Sequence, residues 1–238
     1  MSQAKLEKQD EDERFMREAL ELARRGAGTA RPNPMVGAVI VMDGKAVGRG
    51  WHERCGQPHA EVNAFASARA AGVERFSGAT LYVTLEPCCH TGRTPPCVDL
   101  VIASGVSRVV CAMEDPNPLV AGKGFKALKA AGIEVSVGVL ERESRALNRA
   151  FVKHITTGLP FVILKSALSL DGKIATAQGE SKWISCEESR AEVHRLRAEC
   201  AAVMTGIGTV LADDPLLTAR GEGAQPAQGA RIVVDTNL

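Results

Sequence analysis

The residues of this chain whose types and spacing could do chemistry lie between His59 and Cys97. Pro58-His59-Ala60-Glu61 offers an imidazole and a carboxylate one residue apart. Glu86-Pro87-Cys88-Cys89-His90 offers thiols, and Cys97 adds another after eight intervening residues. One neutral imidazole and two thiolates make a three-ligand zinc site. Catalytic zinc keeps its fourth position open for water, whereas structural zinc closes it with a protein ligand. Zinc in such a site makes water reactive near neutral pH, and a carboxylate beside it can carry the proton to a leaving group.

Taken singly, these residues are ordinary. A His followed by Glu is usually helix surface, and two Cys of a reducing compartment are usually buried small hydrophobes. Their combination is specific. His-x-Glu followed by Pro-Cys…Cys resembles the signature of zinc nucleobase deaminases, whose second half is Pro-Cys-x-x-Cys. The chemistry it serves is hydrolysis at an amidine-like ring carbon, with ammonia leaving and a carbonyl replacing it. The longer Cys88-to-Cys97 spacing sets this chain apart from the plain nucleoside or nucleic-acid version. Adjacent Cys88 and Cys89 cannot easily both face one ion. If the site is closed, Cys89 or His90 is the candidate fourth ligand.

The elements around these residues must position them. Residues 1–12 are polar and read as loose. Phe15, Met16, Ala19, Leu20 and Ala23 recur at helical spacing over Glu13–Arg25. Residues 35–42 and 45–51 read as strands joined by Asp43-Gly44, a strong hairpin signal. An Ala-rich helix is expected over 59–71. Residues two apart on a helix point to different sides, so His59 and Glu61 can serve one ion only at the first turn. Pro58 is consistent with a helix start there. Thr80–Leu85 reads as a strand. Cys88 is expected where that strand gives way to a helix N-terminus, whose free N–H groups favour thiolate. Cys97–Ile102, 124–131 and 141–154 read as helices, and 106–112 and 133–139 as strands. This alternation predicts an α/β domain with helices on both faces of a sheet.

Composition bounds the rest. The 238 residues carry 29 Lys plus Arg against 28 Asp plus Glu, so no net field favours nucleic acid or an anionic membrane. Nine Phe, Trp and Tyr residues are too few for a base-stacking platform. No run of about 18 apolar residues is present, and the polar N-terminus is not a signal peptide. Seven Cys without framework spacing fit a reducing compartment. A cytoplasmic protein is expected. Cys55, Cys111 and Cys200 read as core or incidental, Cys186 near a helix start as packing ahead of a reactive thiol, and His52, His154 and His194 as surface or satisfied core histidines.

A second domain is expected after a turn at 156–160. A strand is predicted over 161–167, a helix over 187–199, and strands over 200–205 and 231–235. Gly221-Glu222-Gly223-Ala224 reads as a flexible loop, and no internal repeat is visible.

With these residues in view, the chain is similar to the bifunctional deaminase–reductase family of riboflavin biosynthesis. The resemblance rests on His59-Ala60-Glu61, on Thr84 through Cys97, on Arg31-Pro32-Asn33-Pro34-Met35-Val36-Gly37 and on Glu114-Asp115-Pro116-Asn117-Pro118. It continues in Ser169-Leu170-Asp171-Gly172-Lys173 and in Ala212 through Arg220. It covers nearly the whole chain and departs at Cys89, where the family usually has Ser. It implies a cytidine-deaminase-like three-layer α/β/α domain over residues 1–157. An incomplete α/β reductase domain of dihydrofolate-reductase-like fold would follow over 158–238, cut off after its first half. It also implies two reactions on a phosphoribosylaminopyrimidine: zinc-dependent hydrolytic deamination, then reduction of the ribosyl chain by NADPH. Family zinc ligands fall on His59, Cys88 and Cys97, and the proton carrier on Glu61. Asn33 falls on a pyrimidine contact. NADP contacts fall on Ala167, Trp183, Thr209 and Asp213, and substrate contacts on Ser181, Arg197, Leu217 and Arg220. An Arg suits a ribose phosphate because its planar fork pairs with oxygen anions.

Two other readings share parts of this evidence. One is a cytidine or tRNA-type zinc deaminase, which lacks support from charge and aromatic content. The other is a zinc-stabilised binding module without turnover, which needs a fourth protein ligand. The small-molecule reading involves no nucleic acid and no membrane. A half-built sheet in the second domain would leave an open edge at Val233 and Val234, which a homo-oligomer could cover.

Overall fold

The computed structural model describes residues 3–90, 95–221 and 229–237. The chain divides into two compact units, residues 1–161 and 162–238.

The first unit is built on a five-stranded sheet of order β2-β1-β3-β4-β5. Its strands are β1 (Gly37–Met42), β2 (Lys45–Trp51), β3 (Thr80–Val83), β4 (Arg108–Cys111) and β5 (Glu134–Val137). The β1–β2 hairpin is antiparallel, with Met42 opposite Lys45. Its two-residue turn places both Asp43 (φ 49) and Gly44 (φ 70) at positive φ, the geometry that Asp-Gly supplies with least strain. β1 also pairs antiparallel with β3, while β3–β4 and β4–β5 are parallel. Parallel neighbours need crossovers, and these are helices. The helices α2 (Ala60–Ala70), α3 (Cys97–Ser104) and α4 (Lys123–Ala130) contribute Phe65, Val101 and Leu128 to a core shared with Ile40, Leu81 and Val109. On the opposite face, α1 (Gln3–Arg24) packs Phe15, Met16 and Leu20 against Val39, Tyr82 and Val110. The result is the expected three-layer α/β/α arrangement.

Several local expectations are corrected. Residues 3–12 are helical, not loose, because they are tied to the sheet. Asp12, 6% exposed, accepts hydrogen bonds from the Tyr82 hydroxyl (2.9 Å) and from both terminal nitrogens of Arg108 (2.7 and 2.8 Å). Lys8 reaches Glu134 at 3.3 Å. The helix expected over 141–154 is two helices, α5 (Glu141–Leu147) and α6 (Arg149–Thr157). Asn148 breaks them and pairs its amide with both backbone groups of Met35, at 2.8 and 2.9 Å.

In the second unit, α7 (Glu187–Glu199) spans the expected residues. It is followed by β6 (Ala202–Gly206), α8 (Ile207–Asp213) and β7 (Ala230–Val234). β6 and β7 form a parallel pair. The strand expected over 161–167 does not form. Val162 and Leu164 are 77% and 93% exposed, and a strand needs a ladder partner, which this stretch lacks among the described residues. Residues 222–224 of the expected glycine loop lie outside the described residues. Ala219 is the buried apolar residue of this unit among those described, and every residue of β7 is exposed.

Candidate metal centre and active site

The centre forms where α2 and α3 begin. α2 can approach β2 closely because β2 carries Gly48 and Gly50 beneath it. A Cβ at Gly50 would stand 2.3 Å from Ala64 N and 2.4 Å from Ala60 O. His59 is the N-cap of α2, Ala60 opens the helix, and Glu61 follows in the first turn. Asn63 fixes the helix start by donating to Trp51 O at 2.8 Å. At this end of the helix His59 and Glu61 both reach the same space.

No helix begins at Cys88, where the strand is expected to give way to one; Cys88 lies in the irregular segment after β3. The chain returns so that Cys97, the first residue of α3, donates its backbone N–H to Cys88 Sγ at 3.3 Å. The helix N-terminus therefore still faces the Cys88 sulfur, from across the segment. His59 Nδ1 lies 3.3 Å from Cys97 Sγ and 3.6 Å from Cys88 Sγ. The three ligand atoms all lie within 4.8 Å of one another. A tetrahedral zinc with N at about 2.1 Å and S at about 2.3 Å would hold them about 3.6 Å apart. The donor set and its spacing thus fit zinc. Among the described residues no other His, Cys, Asp or Glu joins this group. Cys89 packs against the apolar core, and His90 is exposed.

Charge in the site follows from burial and hydrogen bonding. The bond to the Cys97 thiol, together with those to His59 and the Cys97 N–H, holds the Cys88 thiol well below its usual range. The same thiol pair and burial push Cys97 up. A bond to Cys88 raises His59 despite its burial. Glu61, only 3% exposed, is pushed up to about 7, chiefly by burial, with the Cys97 thiol among the groups that pull it back down. A carboxyl poised near neutrality beside a metal site has the form of a proton carrier.

The wall of the site contains residues the sequence analysis passed over. His52, read as surface or core, is buried, and its ring meets that of His59 edge-on with centroids 5.3 Å apart. Its Nδ1 faces Pro58 O at 3.1 Å and its Nε2 faces Asn33 Nδ2 at 3.0 Å. With Nδ1–H donating to the carbonyl, Nε2 accepts from the Asn33 amide, which joins Asn33 to the site. Glu86 and Asp115 are also buried, in the segments that flank the site and not against its ligands. Glu86 could have been noticed as a charged residue inside an apolar strand end; His52 carries no such local signal.

In the second unit, the expected substrate residues are partly gathered. Arg197 donates to Thr218 O at 3.3 Å. It is held below its usual range by burial and by Arg220 nearby. The Arg220 N–H reaches His194 Nδ1 at 3.2 Å. Leu217 lies between them in the chain, at φ 54. Ala167 lines a cleft of about 630 Å³ with Ser185, Ile184 and Leu196. Trp183 is 69% exposed with Arg190 stacked 4.6 Å from its ring centroid. Thr209 and Asp213 lie on α8, and neither they nor Ser181 line that cleft. No helix among the described residues is long and apolar enough to cross a membrane.

Comparison with known proteins places both units. Residues 9–113 match the cytidine and deoxycytidylate deaminase zinc-binding region, and residues 160–238 match the RibD C-terminal domain. The riboflavin biosynthesis protein RibD of Aquifex aeolicus is 53% identical over 95% of this chain and 62% of its own length. That of Escherichia coli is 55% identical over 88% of this chain and 56% of its own. The chain therefore spans about three fifths of the length of these relatives. A Thermotoga maritima structure superposes with a TM-score of 0.90 at 48% identity, covering 95% of this chain and 64% of that one. It is described as a diaminohydroxyphosphoribosylaminopyrimidine deaminase/5-amino-6-(5-phosphoribosylamino)uracil reductase.

Proposed function

We propose that this chain, which belongs to the RibD family of riboflavin-biosynthesis proteins, is a zinc-dependent pyrimidine deaminase fused to part of an NADPH-dependent reductase. Residues 1–157 form the deaminase domain and 158–238 the first part of the reductase domain. The substrate is 2,5-diamino-6-(5-phosphoribosylamino)pyrimidin-4(3H)-one and the product is the corresponding 5-amino uracil. The observation that carries this reading is the His59, Cys88, Cys97 triangle with the buried Glu61 carboxyl against it.

His59, Cys88 and Cys97 would hold the zinc, which supplies a Lewis acid that makes water nucleophilic at neutral pH. Glu61 then does the proton work. Its carboxylate takes the proton from water and delivers it to the departing amine, a poor leaving group until protonated. Burial lets the same side chain hold that proton between the two transfers. Asn33, oriented by His52, presents its amide to the pyrimidine edge. The α2 and α3 helix starts shape the site and restrict bulk water.

The reductase domain of this family uses NADPH. Ala167, Trp183, Thr209 and Asp213 are proposed to hold it, with Ser181, Arg197, Leu217 and Arg220 on the substrate. Arg197 and Arg220 lie together, as a ribose phosphate would require. Ala167 lines the cleft with Ile184 and Ser185, and Thr209 and Asp213 share α8.

The test is ammonia release by the zinc-loaded chain from three substrates: the phosphoribosylaminopyrimidine, cytidine and tRNA. Release from the first alone supports the proposal. Release from cytidine or tRNA alone would move the assignment to another deaminase class, and no release from any would leave a zinc-stabilised binding module.

A further inference from the structure

The segment that delivers Cys88 and Cys97 is stitched to its neighbour through one side chain. Glu86 is 3% exposed. Its Oε2 accepts the N–H groups of Asp115 (3.2 Å) and Gly122 (2.9 Å), and its Oε1 accepts those of Gly124 (2.8 Å) and Phe125 (3.4 Å). Gly122 is the N-cap of α4 and has no side chain with which to cap it. The unpaired N–H groups of a helix start need an acceptor, and a negative charge there meets the positive end of the helix dipole. Glu86 supplies both from a different segment. Because it also binds Asp115, it closes residues 115–122 into a loop about its own carboxylate.

That loop follows a segment paired to the one that leads to Cys88. Glu86 N–H donates to Met113 O at 3.0 Å, so the two segments run side by side just before Cys88. Asp115, 9% exposed, feels the charges of Cys88 and His90. It accepts the Asn117 N–H at 2.9 Å, which tightens the loop further. The seat is close. A Cβ on Gly124 would stand 2.4 Å from Pro87 O and 3.0 Å from Glu86 Oε1, so α4 rests directly on the backbone that leads to Cys88.

We propose that Glu86 is a positioning residue for deamination: by anchoring residues 115–122 beside Cys88, it sets the wall against which the pyrimidine is held. The inference rests on the deaminase reading. Glu86 touches neither the metal site nor the reacting atoms; it acts through the loop. An apolar residue in its place would strand four N–H groups, three of them buried.

Three variants test it in the full 238-residue chain. Glu86→Gln replaces one acceptor oxygen with an N–H₂ donor facing N–H groups. Gly124→Ala forces the same seat apart while keeping the carboxylate. Asp12→Asn removes another buried carboxylate, on the opposite face of the sheet, and reports loss of stability alone. With zinc content equal to wild type in all three, Glu86→Gln and Gly124→Ala are expected to raise KM for the phosphoribosylaminopyrimidine about tenfold or more, a loss of about 1.4 kcal/mol of binding. kcat should change less, and Asp12→Asn should leave KM unchanged. If Glu86→Gln does not fold, Gly124→Ala decides the matter. An unchanged KM in the folded variants, or zinc loss from Glu86→Gln, overturns the inference. If the wild-type chain releases no ammonia, the deaminase reading fails, and amide exchange decides the anchoring. Faster exchange over 115–122 in Glu86→Gln than in Asp12→Asn supports it, and equal exchange overturns it.

Discussion

Gly50→Ala should damage the site from beneath. The added Cβ would stand 2.3 Å from Ala64 N, 2.4 Å from Ala60 O and 2.7 Å from Asn63 C, all helix backbone atoms. Backbone cannot rotate away as a side chain tip can. Restoring ordinary contact, which begins at 3.4 Å, moves the first turns of α2 by about 1 Å in a densely packed interior. That turn carries His59 and Glu61, while Cys88 and Cys97 come from elsewhere and stay in place. Overpacking of this kind costs about 1–3 kcal/mol, equivalent to a Tm about 2–12 °C lower in a unit of this size. A displacement of about 1 Å at reacting groups costs about 100-fold in rate. The assay is ammonia release with zinc content and Tm measured in parallel. Gly72→Ala is the control. Gly72 sits at the far end of α2 with φ 88 and open space around it, so a side chain there strains the backbone without pushing the helix. It should lower Tm and keep kcat/KM. Wild-type kcat/KM in Gly50→Ala would refute the claim that the close approach of α2 to β2 positions the site.

Other outcomes follow from the same geometry. Glu61→Gln should retain zinc and substrate binding but lose about 10² to 10⁴ in kcat; near-normal turnover would remove Glu61 from the proton path. Cys97→Ser should lose zinc and Cys89→Ser should keep it, because Cys89 packs into the core; metal analysis of the two proteins decides this. Arg108→Ala strips the charged partner from the buried Asp12 carboxylate, leaving the Tyr82 hydroxyl, and should cost about 3–5 kcal/mol, read by denaturant unfolding. With Ala219 as its buried apolar residue among those described, the second unit should exchange its α7 and β6 amides far faster than β3 and β4 exchange theirs; equal protection would contradict this.

Much of the fold could be read from local signals. The Asp43-Gly44 turn, the β2 strand and α7 depend on turn chemistry and helical pattern, and they form where the residues predict. A zinc site near His59 was legible because its residue types are rare in that combination, whereas the choice of Cys88 over Cys89 came from the family resemblance. What escaped the sequence depends on distant partners. The helix over residues 3–12 is held by Asp12 against Tyr82 and Arg108, residues 70 and 96 positions away. Residues 161–167 have strand composition but no ladder, and pairing is not a local property. Cys88 reaches a helix N-terminus only because the chain folds back to Cys97. His52, Glu86 and Asn148 do their work through hydrogen bonds to Asn33, the 115–122 loop and Met35, and no spacing in the sequence announces those bonds.

The most direct measurement is a zinc titration of the metal-free chain, followed by ammonia release from the phosphoribosylaminopyrimidine. Activity should be absent without metal, rise in proportion to added zinc and level off at one ion per chain. Turnover by the metal-free chain, or a chain with one zinc bound by one nitrogen and two sulfurs that releases no ammonia, would contradict the account.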